Sequence, residues 1–242
     1  MDGPDTRHRR CILAVFAHPD DETTSSGGTM MRYARDGADV YVATATRGEM
    51  GTLGTGGLVV GRGELPKVRE AEMRSVLQAI GARPPIFLGY RDKEVATSDF
   101  EELVAKVIAL MRQVEPDVVI TWGPNGISGH EDHIAVHKAT VESFLRYRAS
   151  CGRDPRLFYV AISREDADRF ELTPDESETS PTVIIDIEPY IKDKLRALRM
   201  YRSQEDAQQI ADMFEELGLH TESFHQALPP TTGTRVASGF WD

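Results

Sequence analysis

Cysteine is scarce in this chain: two in 242 residues, Cys11 and Cys151. Two scattered thiols make neither a disulfide framework nor a Cys-rich zinc cluster, and a reducing cytoplasm is the simplest home for them. Positive charge is also short. Lys and Arg number 28 against 39 Asp and Glu, a formal net charge of −11. That balance disfavours a nucleic-acid partner, whose phosphates must be matched by cations. It equally disfavours docking on an anionic membrane surface. No stretch reaches the roughly 18 apolar residues that span a bilayer. The polar opening MDGPDTRHRR has no apolar signal-peptide core. The Gly-x-Gly-x-x-Gly and Gly-Lys-Ser/Thr loops of nucleotide-binding folds are missing as well. The expectation is a cytoplasmic chain with no membrane or nucleic-acid partner.

What is present is alternation. Hydrophobic residues make up 40% of the chain, enough for a sizeable core, and the length suits one domain. Apolar runs of strand length stand at 11–17, 39–46, 85–90, 117–122 and 156–162. Segments of helical period fill 23–36, 67–80, 99–114 (with Ser98 as N-cap) and 131–148. Apolar strands alternating with helices predict a mostly parallel sheet covered on both faces, an α/β Rossmann-like fold. Such sheets place their sites beyond the carboxyl ends of the strands. The later part reads as less regular. An acidic, Ser/Thr/Pro-rich stretch at 165–181 reads as an exposed loop. A strand at 183–187 and helices at 189–201 and 206–217 follow. The tail from Pro229 has little periodicity, with Phe240 and Trp241 placed at the surface or at a subunit contact.

Two strings fall where the fold rule expects chemistry. The first, Ala17-His18-Pro19-Asp20-Asp21-Glu22, follows the first strand. His18 and Asp21 are three apart across a strand-to-helix turn, a spacing that can converge two ligands on one ion. Asp20, between them, projects differently and can face a water at the metal. The plainer reading is an N-cap, with Asp20 or Asp21 capping the helix. The whole string is rarer than that reading needs: by average residue usage it arises by chance in roughly one such chain in ten thousand. The second string, Gly129-His130-Glu131-Asp132-His133, follows the fourth strand, with His137 four residues on. For His137 the plain reading, a hydrogen-bonded and partly buried side chain, is kept. His18, Asp21 and one second-string histidine make three ligands with an open fourth position, the coordination of a catalytic zinc.

These strings resemble those of the LmbE-like family, which includes the GlcNAc-phosphatidylinositol de-N-acetylases and the deacetylases of mycothiol and bacillithiol synthesis. Supporting matches are Gly27-Gly28-Thr29, Thr46-Arg47-Gly48-Glu49, Arg69 with Glu72, Leu88-Gly89-Tyr90 with Asp92, and Tyr201-Arg202-Ser203-Gln204. The resemblance spans about 10–205 and implies one domain over 1–242, its extension starting near 206. It implies one Zn2+ per chain, or another divalent transition metal, held by His18, Asp21 and His133. Asp20 is the implied general base. His130 is the implied charged histidine that stabilises the oxyanion, with Asp132 holding it. Arg69 and Asp92 match sugar-binding positions. The implied activity is hydrolysis of the N-acetyl group of a small GlcNAc-type sugar amide, with homo-oligomerisation left open. Such zinc lowers the pKa of a bound water to about 7, within reach of a carboxylate base. Two departures bear on the acceptor. Glu131 stands where relatives often carry Pro, and the 123–129 loop lacks a Tyr. The Gly-rich 48–63 stretch is either a second wall of the site or a mobile surface loop. The alternatives are an amidase acting on a thiol-sugar conjugate and a non-catalytic, metal-stabilised binding protein.

Overall fold

The computed structural model describes residues 9–231 and 236–242. Most of the charged opening segment and residues 232–235 of the tail lie outside the described residues. The first part alternates as the pattern predicts: β1 (Cys11–Phe16), α1 (Asp21–Arg35), β2 (Asp39–Thr44), α2 (Leu65–Ile80), β3 (Ile86–Phe87), α3 (Phe100–Val114), β4 (Val118–Thr121), α4 (Glu131–Arg148) and β5 (Arg156–Ala161). Then come α5 (Arg164–Arg169), β6 (Val183–Asp186), α6 (Ile191–Arg199), α7 (Glu205–Leu217) and β7 (Thr221–Leu228). Among the described residues no helix is long and apolar enough to cross a membrane.

One sheet runs in the order β3-β2-β1-β4-β5-β7-β6. The first five strands are parallel, and β7 runs antiparallel to both β5 and β6. Strand β1 is apolar throughout because both of its faces are covered. Ile12, Ala14 and Phe16 pack with Met30 of α1 and Met73 and Leu77 of α2. Leu13 and Val15 pack on the other face with Val104 and Met111 of α3 and Phe144 of α4. Because β2 and β3 lie on one side of β1 and β4 and β5 on the other, the winding direction reverses between β1 and β4. In α/β folds such a reversal marks the position, at the carboxyl ends of the strands, where ligands bind.

The structure corrects four expectations. Helix α3 is capped by Asp99, whose side chain accepts from the Glu102 amide, not by Ser98. The 165–181 stretch is not simply an exposed loop: it holds α5, and Glu178 is fully buried. Strand β7 was not expected at all, and it lies inside the sheet. Phe240 is core, not surface. It is fully buried against Tyr33, Phe158 and Phe224, and the Tyr33 hydroxyl accepts from its amide. Trp241 beside it packs edge-on to Tyr33.

Candidate functional site

The turn between β1 and α1 is built by its own acids. Asp21 Oδ2 accepts from the amides of Ala17 and His18, at 3.1 and 2.8 Å. Glu22 accepts from the Asp20 amide at 3.0 Å, and the Tyr201 hydroxyl donates to the same carboxylate at 2.6 Å. Asp20 adopts a left-handed conformation, φ 92°, which Asp tolerates better than most residues. It occupies the N-cap position of α1, yet its side chain makes no cap hydrogen bond. The capping reading therefore does not account for it. Its carboxylate turns instead to Arg69, whose Nη2 donates to Oδ2 at 2.8 Å and also to the Pro19 carbonyl. Arg69 is itself buried and donates a further bond to the Gly48 carbonyl.

The two strings meet beyond the carboxyl ends of β1 and β4. His18 Nδ1 lies 3.3 Å from His133 Nε2 and 3.6 Å from Asp21 Oδ2, and His133 Nε2 lies 3.5 Å from Asp21 Oδ1. These three residues form a group able to hold one metal ion, and all three are buried. The other nitrogen of His18, Nε2, faces Asp92 Oδ1 at 3.2 Å and Asp132 Oδ2 at 3.3 Å. The opposite nitrogen of His133, Nδ1, donates to the Gly126 carbonyl at 3.1 Å. Trp122, at the end of β4, stacks on His133 with centroids 4.4 Å apart. His137 keeps its plain role: Nδ1 bonds the Trp122 carbonyl at 2.8 Å.

All eight candidate residues gather here, but three make contacts other than those their implied roles call for. Arg69, implied to bind the sugar, is buried on Asp20, Pro19 and Gly48. Asp132 and His130 differ as well. Asp132 does not hold the His130 ring with its carboxylate. It accepts from the Lys93 and Val95 amides and faces His18. Its own amide donates to His130 Nδ1 at 3.1 Å. A backbone N–H can only donate, so Nδ1 is unprotonated and the His130 proton sits on Nε2. A ring held this way presents Nε2 as its donor, where the resemblance implies an imidazolium. Burial, and the positive field of His18 and His133, push its pKa below the ordinary histidine value.

The field across the cluster is divided. Burial opposes a charge on His18, but Asp132, Asp21 and Asp92 outweigh it and raise its pKa well above the ordinary value. Burial works against the Asp21 carboxylate too, yet the two imidazoles hold it well below the usual range. Asp92 is drawn down to about 2, because its bonds to His18 and the Met50 amide overcome its burial. Asp20 goes the other way. Burial lifts it well above the usual carboxylate range, against the pull of Arg69. Two neighbouring carboxyls with opposed shifts are suited to different tasks, one to bind a cation and one to carry a proton.

The 48–63 stretch reaches the site and is pinned, not free. Met50 donates its amide to Asp92, while the amides of Gly54 and Thr55 donate to the carbonyls of Ser203 and Arg202. Sequence reasoning named Tyr201 and Glu22 only as motif members. Their contact puts the C-terminal signature directly beneath the first string.

A model of the GlcNAc-PI de-N-acetylase family (PIG-L) matches residues 13–144. The chain is 32% identical to a 1D-myo-inositol 2-acetamido-2-deoxy-α-D-glucopyranoside deacetylase from Rhodococcus erythropolis, over 82% of this chain and 82% of the relative. A deacetylase of the same name from Rhodococcus jostii is 42% identical over 54% of this chain, which spans about half (52%) of that relative's length. Among solved structures, the N,N'-diacetylchitobiose deacetylase from Pyrococcus horikoshii superposes with a TM-score of 0.68 at 22% identity. The match covers 90% of this chain and 83% of that one, and it shows the shared fold.

Proposed function

The chain belongs to the GlcNAc-PI de-N-acetylase family, and on that footing we propose that it hydrolyses the N-acetyl group of a small GlcNAc-type sugar conjugate in the cytoplasm, with one zinc ion held by His18, Asp21 and His133. One observation carries the reading: the spacing of three donors beside a fourth carboxylate that is not among them. Donors about 2.0–2.1 Å from a common tetrahedral ion stand about 3.3–3.4 Å apart. The two imidazole nitrogens here are 3.3 Å apart, and each has an Asp21 oxygen nearby, Oδ2 at 3.6 Å from His18 and Oδ1 at 3.5 Å from His133. Two imidazoles and one carboxylate suit zinc, and the same set accepts other divalent transition metals.

When bound, zinc supplies a Lewis acid for the amide carbonyl and lowers the pKa of water. The remaining work falls to side chains. Asp20, buried and raised in pKa, takes the proton of the attacking water and returns it to the leaving amine. Arg69 fixes the direction of that carboxylate. The Nε2–H of His130 donates to the carbonyl oxygen as the carbon becomes tetrahedral. Asp132 fixes the His18 ring. Asp92, which also meets His18 and the Met50 amide, is assigned to a sugar hydroxyl. The inositol-linked GlcNAc named for the Rhodococcus relatives is the first substrate to try.

The test is a screen for acetate release over GlcNAc conjugates and thiol-sugar amides, with metal content measured on the same preparations. Asp20→Asn is expected to keep metal and fold and to lose about 10²-fold or more in turnover. Asp21→Asn is expected to lose metal. His130→Ala is expected to keep metal and to lose about 2.7–4 kcal/mol of transition-state stabilisation. Near-normal turnover by Asp20→Asn refutes the proton role, and metal loss by His130→Ala exchanges the roles of His130 and His133. Turnover confined to thiol-sugar amides gives the site to an amidase, and no turnover of any conjugate favours a binding protein.

A further inference from the structure

We propose that Glu178, which belongs to none of the motifs, is a positioning residue for His133 and thereby sets the affinity of the site for its metal; the proposal rests on His133 being a ligand. The contacts form a short relay. His133 Nδ1 donates to the Gly126 carbonyl at 3.1 Å. A carbonyl can only accept, so this bond puts the proton on Nδ1 and leaves the Nε2 lone pair aimed at His18 and Asp21. The position of the Gly126 carbonyl therefore decides where the ligand nitrogen points.

The Gly126 carbonyl is held by a turn that strains to keep it there. Gly126, Ile127 and Gly129 all have positive φ, 60°, 62° and 77°. For the glycines this is ordinary. For a β-branched residue such as Ile127 it is an outlier, one that persists only when the surroundings enforce it. Glu178 supplies the enforcement. Its Oε1 accepts from the Ile127 amide at 2.9 Å, and its Oε2 accepts from the Asp175 amide at 2.6 Å. The side chain is fully buried, and the groups acting on it among the described residues are backbone amides and Asp175, with no cation. Burial accordingly pushes its pKa up. A buried, unpaired carboxylate is costly, and holding amides is what this one does with its two oxygens.

The glycines of the loop make room for the relay. A Cβ on Gly123 would collide with the Glu178 side chain, and one on Gly126 would meet His133 Cβ at 2.5 Å. Trp122 then covers the face of the His133 ring. Edge, face and carbonyl together leave the imidazole one orientation.

The experiment uses the full chain and Co2+ as the probe. Cobalt affinity is read by chelator competition, the ligand field by visible absorption, and the fold by circular dichroism. Glu178→Gln puts an amide NH2 where one backbone N–H needs an acceptor. It is expected to weaken cobalt binding by about 10-fold or more and to alter the cobalt spectrum, as loss of an orienting partner does. Ile127→Gly in the Glu178→Gln background removes the strain that Glu178 restrains, and is expected to restore most of the lost affinity. A merely destabilised core would not be rescued in this way. Gly123→Ala displaces Glu178 independently, is expected to show the same loss, and decides the question if Glu178→Gln does not fold. His133→Ala separates the two levels of the argument. If it binds cobalt as tightly as the wild type, the ligand reading falls and the relay with it. If it loses cobalt while Glu178→Gln and Gly123→Ala keep wild-type affinity and spectrum, the relay alone is overturned.

Discussion

Asp132 spends its two oxygens on the Lys93 and Val95 amides and on the His18 ring, so one carboxylate ties a loop to a candidate ligand. The family resemblance gives this residue to His130. The two assignments predict different failures. If Asp132 orients His18, Asp132→Asn weakens metal binding about 10–100-fold, because the asparagine cannot serve all three donors. If it serves His130, the variant keeps its metal and loses only turnover. Metal affinity and acetate release measured on one preparation separate these outcomes, and the geometry here favours the first. What the sequence could supply at this scale was residue type and spacing. Both strings pointed to one neighbourhood, and all eight residues do gather together there. Which oxygen meets which nitrogen depends on backbone placed some forty to a hundred residues away, and no local pattern encodes that.

At the scale of elements, periodicity revealed what buries apolar side chains in regular order. Helix α4 and strand β1 were legible for that reason. Strand β7 was not. Its inward residues are Glu222, Phe224 and Gln226, so two of its three buried positions are polar. Glu222 can be inside because Lys194 pairs with it at 2.7 Å and the amides of Gly28 and Thr29 donate to it. A strand that buries its charge against a partner on another helix looks like a loop in sequence. The C-terminal segment hid in a similar way, since a lone aromatic has no period. The segment nonetheless covers the outer edge of β6, where the Ile184 amide donates to the Ala237 carbonyl. Phe240→Ala is therefore expected to destabilise the protein by about 3–5 kcal/mol, the usual cost of emptying a buried Phe site. Urea unfolding measures it; a loss under about 1 kcal/mol would mean that the anchor matters little. Removing 236–242 altogether is expected to add self-association, because it bares a sheet edge.

For the molecule as a whole, the candidate site joins the first and fourth strands of one cooperative sheet, so an ion bound there stabilises the entire fold. At a free zinc concentration about 100-fold above Kd, linkage gives about 2.7 kcal/mol. For a chain of this size each kcal/mol raises Tm by about 2–4 °C, so zinc is expected to lift the melting temperature by roughly 5–11 °C. Asp21→Asn should abolish the shift, and an equal shift in that variant would place the ion elsewhere. The same arrangement has a consequence in time. His18 and His133 meet across 115 residues of chain. At about 5–20 residues per second, a ribosome takes roughly 6–23 s to make that span. Throughout that interval the first string exists without its partner: an imidazole and a carboxylate on a growing chain, unable to complete a coordination sphere. On the proposed reading the site is completed only when β1 and β4 have paired, so an ion held there would be captured after that pairing and not before it.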